Sequence, residues 1–192
     1  QIDSVAVCFL FSYQDATNEQ KVKNYLKNTL SIPVKISSEV LPEIREYERT
    51  AATVIDAYLT PVMNSYLETL AQQCRERGIP EPHIMKSDGG VARLESAQSR
   101  PITTIMSGPA AGVVGARSTA KSESDSIATK SFISLDMGGT STDVSYLDRG
   151  EITRTTDATV GEQPVAISVV DIETVGAGGG SVAWVDSGGA LR

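Results

Sequence analysis

Two aspartates flank a pair of glycines in residues 131–147, which read SFISLDMGGTSTDVSYL. Asp136 lies before Gly138 and Gly139, and Asp143 lies after them. Adjacent glycines predict a turn, and the apolar, β-rich residues on both sides predict two strands. We therefore interpret this segment as a β-hairpin that carries an acid on each side of its turn.

The predicted turn has the composition of a phosphate-binding loop. Gly138 and Gly139 have no side chain to cover their backbone N–H groups, and such groups in a concave turn bind anions. The next three residues add hydroxyl donors: Thr140, Ser141 and Thr142. Residues 138–142 are therefore predicted to bind phosphate. The alternative is a surface hairpin whose polar residues only face solvent.

The acids on either side of the turn indicate a cation as well as a phosphate. A carboxylate beside a polyphosphate repels it unless a cation lies between them, and Mg²⁺ in proteins keeps several of its waters. Asp136 is thus predicted to hold a divalent metal, Mg²⁺ being expected, either directly or through water. Asp143 is predicted to orient or deprotonate an attacking water, or to help hold the same ion.

Three further glycine-containing segments are candidate parts of the site. A nucleotide or substrate loop is predicted at Gly178, Gly179 and Gly180, for which a bulge or hinge is the alternative. Ser107 and Gly108 open a predicted helix that runs to about residue 119, and a helix start can bind phosphate. The spacing of Gly108, Gly112 and Ala116 also fits close packing alone.

The third of these segments is the turn at Asp88 and Gly89, which follows a strand predicted at residues 81–87. In open α/β sheets the ends of strands build the ligand site. Asp88 is therefore predicted to contact substrate or metal, and the alternative is an ordinary turn aspartate.

The remaining pattern predicts alternating strands and helices. Residues 4–12, 16–30 and 33–37 predict a parallel strand–helix–strand unit. Residues 42–77 predict a long helix that Pro61 kinks or splits and Gly78 ends, with its tyrosines and Met63 in the core. Further strands are predicted at 102–106, 151–156, 165–170 and 181–186, and loops at 96–101 and 121–130.

Composition limits the partners and the compartment. The net charge of −7 argues against nucleic acid and against an anionic membrane as the main partner. No apolar run reaches the ~20 residues of a membrane span, and no signal peptide is recognised. Cys8 and Cys74 are predicted to be buried free thiols, which fits a cytoplasmic protein. His83 is predicted to be structural and Trp184 to lie in the core.

Four stretches resemble the hydantoinase A/5-oxoprolinase family, within the actin-like ATPase superfamily. They are MKSDGGV at 85–91, SGPAAGVVGA at 107–116, DMGGTSTDV at 136–144 and GAGGGSVAWVDSGGALR at 176–192. The resemblance implies an α/β chain that is a fragment of an actin-like (ribonuclease H-like) ATPase fold, a mixed sheet with flanking helices. Residues 1–130 would complete one half of that fold and residues 131–192 would start the second, with the chain cut at both ends.

The same resemblance implies ATP-dependent opening of a cyclic amide such as a hydantoin or 5-oxoproline. Phosphorylating the oxygen of a resonance-stabilised ring amide creates a better leaving group and makes attack easier. ATP, a divalent metal and possible pairing with a second subunit of the hydantoinase B type are implied with it. The alternatives are an ATP-using subunit of an acetone-type carboxylase and a non-catalytic nucleotide-binding scaffold. The chain alone is expected to be inactive.

Overall fold

The computed structural model describes residues 2–123 and 130–191. The chain forms two compact units: residues 1–108 with 154–169, and residues 109–153 with 170–192. Within the described ranges, no helix combines the length and the hydrophobicity needed to cross a bilayer. The predicted division at residue 130 concerns a longer fold and stays a prediction.

The chain is mixed α/β, as predicted, but its strands form several small sheets. The helices are α1 (Thr17–Thr29), α2 (Ser37–Val40), α3 (Glu46–Glu76), α4 (Leu94–Ser99) and α5 (Ser107–Glu123), with a 3₁₀ turn at Pro101–Thr104. The strands are β1 (Val5–Val7), β2 (Val34–Ile36), β3 (Ile84–Met85), β4 (Val91–Ala92), β5 (Phe132–Met137), β6 (Thr142–Asp148), β7 (Glu151–Ile152), β8 (Arg154–Thr155), β9 (Thr159–Val160), β10 (Gln163–Pro164), β11 (Val169–Val170) and β12 (Glu173–Val175).

The first unit begins with the predicted parallel strand–helix–strand motif. Strand β1 pairs in parallel with β2, and Val22 and Leu26 of α1 pack on them. The strand predicted to reach residue 12 stops at Val7, however. The buried Glu19 accepts a hydrogen bond from the Phe9 N–H at 2.8 Å, so this donor is used by a side chain and not by a sheet ladder.

Helix α3 is the longest element, and it passes through Pro61 as one assigned helix. Of the two predicted effects of Pro61, the split is therefore wrong, and the kink stays a prediction. The helix ends as predicted: Gly78 has φ of +65°, and the N–H of Ile79 returns to the carbonyl of Cys74 at 2.9 Å. Both cysteines are free and only partly buried, so they are less enclosed than predicted.

The burial pattern of α3 differs from the predicted one. Its fully buried side chains include Arg49, Thr53 and Asp56, which are all polar. The predicted core tyrosines are instead exposed: Tyr47, Tyr58 and Tyr66 keep 63%, 77% and 59% of their surface in solvent. Met63 is partly buried beside a small cluster of Leu67, Leu94 and Ala97.

The main core of the first unit joins distant parts of the chain. It contains Val40, Leu41, Ala52, Ile102, Val165, Ile167 and Val169. The strand predicted at 102–106 is replaced by the 3₁₀ turn, because the Ile102 N–H donates to the Asp56 carboxylate at 3.0 Å. Most of the predicted loop at 96–101 lies in α4. The β9 and β10 strands form a hairpin whose turn contains Gly161, with φ of +62°.

The second unit is built on the predicted hairpin. Strand β6 lies between β5 and β12, and β7 also pairs with β6. Phe132, Leu147 and Ile152 pack on one face with Ala110 and Val113 of α5. The other face of β5 is exposed at Ile133, Leu135 and Met137, so β5 is buried on one side only.

Two predictions in the second unit are wrong and one lies largely outside the described residues. Residues 181–186 form no strand, only a bridge between Val185 and Leu191, and Trp184 is 57% exposed. In the segment predicted as a loop at 121–130, residues 121–123 continue α5, and residues 124–129 are outside the description. Helix α5 begins at Ser107 itself.

One buried ion pair joins β2 to α3 in the first unit. The Lys35 ammonium lies 3.0 Å from the Asp56 carboxylate and also donates to the Ser99 carbonyl. Burial raises the pKa of Asp56, while the Ile102 N–H and Lys35 oppose that rise. A carboxyl whose folded-state pKa is raised binds a proton on folding, so its contribution to stability declines as pH rises through and above its unfolded value of 3.8.

We predict that Lys35→Met costs about 3–5 kcal/mol of unfolding free energy at pH 7, because it leaves the Asp56 carboxylate buried without a cation. The loss should shrink as pH falls towards the pKa of Asp56, where the carboxyl takes up a proton. Urea unfolding at neutral and acidic pH measures both effects.

The matched control is Lys23→Met, which removes a cation from the more exposed pair with Glu39. Exposed pairs contribute about 0–1 kcal/mol. An equal loss in the two variants, or a Lys35→Met loss that does not change with pH, would contradict this account of the buried pair.

Candidate functional site

The two predicted acids lie opposite each other in the hairpin. In the β5–β6 register Asp136 pairs with Asp143, and Phe132 pairs with Leu147. Opposed residues of antiparallel strands point to the same face, with Cβ atoms about 4.5–5.5 Å apart. Both carboxylates therefore lie on the face that packs against α5. Like charges placed directly opposite each other are destabilising, so this pair has a cost that a cation would remove.

Neither carboxylate forms an ion pair with any residue that the structure describes. Asp143 is half-buried and accepts a hydrogen bond from the Thr174 hydroxyl of β12 at 2.7 Å. Asp136 is exposed and lies against α5. A Cβ added at Gly112 would be 3.2 Å from Asp136 Oδ2, so the absence of a side chain there makes room for the carboxylate.

The turn between the strands is held by a second glycine segment. The N–H groups of Gly179 and Gly180 donate to the carbonyls of Gly138 and Gly139 at 2.9 and 3.0 Å. A Cβ at Gly178 would be 2.6 Å from the Gly138 carbonyl oxygen and 2.8 Å from the Thr140 nitrogen. The predicted glycine cluster therefore lies directly on the predicted phosphate turn.

This contact determines which way the turn presents its donors. All described peptide bonds are trans, so each N–H points away from the carbonyl of the same peptide unit. The carbonyls of Gly138 and Gly139 point at the glycine segment, and the N–H groups of Gly139 and Thr140 therefore point away from it. Within the described residues these two N–H groups donate no hydrogen bond. Backbone N–H groups left unpaired in a turn are donors of the kind that binds anions.

The hydroxyl groups near the turn differ in their surroundings. Thr142 is buried, and its hydroxyl donates to the Ala177 carbonyl at 2.6 Å, which ties the glycine segment to the turn. The Ser141 carbonyl accepts the Gly138 N–H at 2.9 Å. Among the described contacts, the hydroxyls of Thr140 and Ser141 have no partner. They are thus free to donate to a ligand.

Sequence reasoning did not assign a site role to Gly112 or Thr174, and it missed the anchoring by Ala177 and Ser181. The Ser181 hydroxyl accepts the Gly178 N–H at 3.0 Å and so helps shape the glycine segment. In the sequence, Gly112 was noted only as one of three small residues spaced four positions apart. No sequence pattern indicated a site role for Thr174, since that role depends on the β6–β12 register.

Asp88 and Gly89 belong to the first unit and form a closed local turn. The Asp88 carboxylate accepts from Lys86 Nζ and from the Gly90 N–H, both at 2.8 Å. Burial alone raises the pKa of Asp88, but these two hydrogen bonds hold it below the ordinary value. A cavity of about 230 Å³ lies beside it, lined also by Arg100 and Thr103.

Ser107 and Gly108 are the first residues of α5 and also belong to the first unit. A Cβ at Gly108 would meet nothing within 4 Å, so close packing does not explain this glycine within the described residues. The structure thus brings together Asp136, Asp143, the turn and the glycine segment, all within the second unit.

Comparison with known proteins identifies the family of the chain. A family model described as hydantoinase/oxoprolinase matches residues 49–192. The chain belongs to the hydantoinase/oxoprolinase family. It is 33% identical to caprolactamase subunit alpha of Pseudomonas jessenii over all of its length and 27% of that protein's length. It is 35% identical to 5-oxoprolinase of Saccharomyces cerevisiae, covering 94% of the chain and 14% of the enzyme.

Two solved structures resemble the chain closely. The crystal structure of ATP-dependent caprolactamase from Pseudomonas jessenii matches 97% of the chain with a TM-score of 0.84 at 32% identity. A nucleotide-free structure of acetone carboxylase matches the same share with a TM-score of 0.75 at 28% identity. The chain spans 27% and 26% of the lengths of those two chains, so it corresponds to less than a third of either.

We predict that Gly178→Ala destabilises the second unit by about 1–3 kcal/mol, because the new methyl group overlaps backbone atoms that cannot move independently. Unfolding free energies from urea titration give the size of the loss. Amide hydrogen exchange should locate it, with faster exchange at Gly179 and Gly180.

The matched control is Gly179→Ala, where the added Cβ would lie 3.7 Å from the Gly138 oxygen, an ordinary contact. It should change the unfolding free energy far less than Gly178→Ala does. Similar losses at the two positions would show that the close contact of Gly178 with the turn does not control the stability of the site.

Proposed function

We propose that the hairpin turn holds the phosphate groups of ATP, and that the longer polypeptide of which this family segment forms part uses ATP to open a cyclic amide. The observation that carries the proposal is the pair of opposed carboxylates, Asp136 and Asp143, beside two free N–H groups. The negative side chains favour a cation, and the bare N–H donors favour an anion. A metal–phosphate pair provides both at once.

A divalent cation fits the residues that are present. No group of three or more acidic, histidine or cysteine side chains able to hold a metal occurs in the described part of the chain, which argues against a metal bound by protein groups alone. Mg²⁺ is commonly held by one or two carboxylates together with substrate phosphates and several waters. Asp136, with Asp143 opposite, is such a donor set, and the cation would neutralise charge on the phosphates.

The residues then have distinct roles. The N–H groups of Gly139 and Thr140 and the free hydroxyls of Thr140 and Ser141 would bind phosphate oxygens. Asp143 would either orient the attacking nucleophile or share the cation, and the Thr174 hydroxyl fixes one of its carboxylate oxygens. Gly178, Gly179 and Gly180 hold the turn in place, and they would also contact nucleotide or substrate.

Ser107, Gly108, Asp88 and Gly89, which belong to the first unit, are proposed as further ligand contacts in the longer polypeptide. Ser107 and Gly108 would offer N–H groups of the α5 start to phosphate, and Asp88 would contact substrate or metal. We also propose that the two parts of the chain, residues 1–130 and 131–192, belong to successive halves of an actin-like ATPase fold. The hairpin would then be the phosphate-binding element of the second half.

The relatives indicate the substrate class. Caprolactamase and 5-oxoprolinase are named for cyclic amides, and the caprolactamase structure is described as ATP-dependent. A ring amide resists hydrolysis through resonance, and transfer of a phosphoryl group to its oxygen overcomes that resistance. A second candidate is an ATP-using carboxylase subunit, which the TM-score of 0.75 to acetone carboxylase favours.

The printed names of relatives also bear on partners and location. Caprolactamase subunit alpha and the acetone carboxylase beta subunit of Xanthobacter autotrophicus are components of multi-subunit enzymes. We infer that the longer polypeptide also works with a second subunit, for which a hydantoinase B-type protein is the proposed partner. A cytoplasmic location, where ATP is available, fits this proposal.

We predict that the chain binds Mg²⁺ and ATP together, and that Asp136→Asn weakens this binding at least about tenfold, or 1.4 kcal/mol. Isothermal titration with ATP, with and without Mg²⁺, measures the affinity. Amide NMR shifts at Gly139 and Thr140 would report the site of contact.

Asp148→Asn is the matched control, since Asp148 lies at the other end of the same strand β6. It should bind as the unchanged chain does. Equal weakening by both variants, or nucleotide shifts confined to residues away from the turn, would refute the phosphate role of the hairpin.

For the longer polypeptide with its partner, we predict amide-dependent phosphate release with one of three rings: 5-oxoproline, a hydantoin or a lactam. Asp136→Asn should lower turnover more than about 30-fold, which is about 2 kcal/mol of transition-state stabilisation. Product analysis and phosphate release are followed together. Phosphate release that needs bicarbonate and a ketone, with no ring opened, would replace the amide proposal with the carboxylase one.

A further inference from the structure

A cavity of about 230 Å³ in the first unit is lined by residues from five separate segments of the chain. All of these segments belong to the first unit, so the cavity is formed within one compact body. Four charged residues line it: Glu43, Lys86, Asp88 and Arg100. Pockets for drug-sized ligands have volumes of about 300–1,000 Å³. This cavity therefore fits a smaller molecule than a nucleotide.

Arg100 brings to this cavity a positive charge that no carboxylate balances within the described residues. Its Nη2 donates to the Val40 carbonyl at 2.7 Å, but its Nε is buried without a hydrogen-bond partner. None of the ion pairs that the structure describes includes Arg100. A buried donor without an acceptor is destabilising and rare in folded proteins. Water would accept this hydrogen bond, but only an anion would also balance the charge.

The other charged groups beside the cavity do not supply that anion. Lys86 Nζ lies 2.8 Å from the Asp88 carboxylate, so these two residues neutralise each other. A Cβ at Gly90 would be 3.1 Å from Lys86 Cε, and the absence of a side chain there keeps room for this pair. Glu43 is exposed at the rim of the cavity.

Asp56, the buried carboxylate of the pair between β2 and α3, does not balance Arg100 either. Lys35 already lies 3.0 Å from it. Burial raises the pKa of Asp56, and the charges of both Lys35 and Arg100 oppose that rise, so two cations act on one carboxylate. These half-buried and buried groups thus hold one positive charge in excess, although the net charge of the chain is −7.

We propose that this cavity is a binding site for a small carboxylate, whose oxygens accept hydrogen bonds from the Arg100 guanidinium and from the hydroxyls of Thr156 and Ser168. Both hydroxyls line the cavity on its exposed side, and they have no partner among the described contacts. Arg100 is held in place without a ligand, because its N–H donates to the Ser96 carbonyl and its carbonyl accepts the Thr103 N–H, both at 3.1 Å. Such preorganisation lowers the cost of binding.

The charge around the cavity favours a carboxylate over a phosphate group. One excess positive charge balances the single negative charge of a carboxylate, whose planar shape also matches a guanidinium. A phosphate monoester carries about −1.5 to −2 at neutral pH, and Glu43 at the rim would repel the excess. A neutral molecule would leave the charge of Arg100 unbalanced.

The binding of a carboxylate does not depend on the phosphate role of the hairpin, which belongs to the second unit. The inference adds a preference among the proposed rings, because 5-oxoproline carries a carboxylate that a plain lactam lacks. That preference rests on the proposed function, whereas the binding itself does not.

Amide NMR titration of the 192-residue chain at constant ionic strength tests the proposal. Acetate and 5-oxoproline should bind with a Kd of the order of 1 mM and shift the amides of Lys86, Thr103 and Ser168. Acetamide and 2-pyrrolidinone, the neutral counterparts, should not. An equal response to the neutral compounds, or tighter binding of inorganic phosphate than of either carboxylate, would overturn the proposal.

Arg100→Gln should weaken acetate binding at least tenfold, because it removes the charge while keeping an N–H donor for the Val40 carbonyl. Arg77→Gln is the matched control, since it makes the same charge change at an exposed arginine of the same unit. Equal weakening by the two variants would indicate a response to overall charge and contradict a site at Arg100.

Ser168→Asp tests the same site without altering the half-buried arginine. Ser168 is exposed, so circular dichroism and the urea midpoint should match those of the unchanged chain. The added carboxylate should repel acetate and weaken binding at least tenfold, whereas Ser31→Asp, at an exposed serine that does not line the cavity, should not. Unchanged affinity in Ser168→Asp would reject the site even if Arg100→Gln failed to fold.

The longer polypeptide provides the last test, through saturation-transfer NMR of acetate. Acetate has no ring to open, so the result does not depend on the proposed function. We expect a saturation-transfer signal that Arg100→Gln reduces. Binding of acetate to the 192-residue chain but not to the longer polypeptide would show that another segment fills the cavity, and would overturn its assignment as a ligand site.

Discussion

Direct contact between two stretches of bare backbone is the constraint on which the candidate site depends. The carbonyls of Gly138 and Gly139 receive hydrogen bonds from Gly179 and Gly180, and Gly178 lies too close to the turn for any Cβ. Each hydrogen bond contributes only about 0.5–1.5 kcal/mol. Their larger effect is geometric, because a peptide whose carbonyl is fixed in one direction must present the next N–H in the other. The glycine segment thus orients the N–H donors of the turn, although it supplies none of those donors itself.

The same constraint explains which parts of the site could be found from the sequence. The hairpin and its opposed acids are local, because a strand, a two-glycine turn and a second strand fix which residues face each other. The contact of Gly178 with the turn joins residues about 40 positions apart. A single sequence does not reveal that residues so far apart are in contact. The glycine cluster could be recognised as unusual, but its partner could not. Gly112 is a similar case, since it is needed only because Asp136 lies across from it.

At two places in the fold, a hydrogen bond to a side chain distant in the sequence overrides the local strand propensity. The parallel pairing of β1 with β2 and the end of α3 at Gly78 follow from short patterns and were predicted correctly. The apolar run after Val7 has strand propensity, yet Glu19 takes the N–H of Phe9. Likewise Asp56 takes the N–H of Ile102 and a 3₁₀ turn replaces a predicted strand. In both cases a buried carboxylate that needs donors has more effect on the backbone than the β propensity of the segment.

Helix α3 gives the most general lesson about such patterns. A period near 3.6 shows which residues share a face, but it does not show which face meets the core of the same chain. The buried face of α3 includes two charged side chains because Arg49 and Asp56 find partners in Phe9 and Lys35, which lie far away in the sequence. Tyrosine is well suited to the opposite face. Its ring is apolar and its hydroxyl hydrogen-bonds to water, so the side chain tolerates both environments. A period near 3.6 that includes tyrosines therefore does not show which face of the helix is buried.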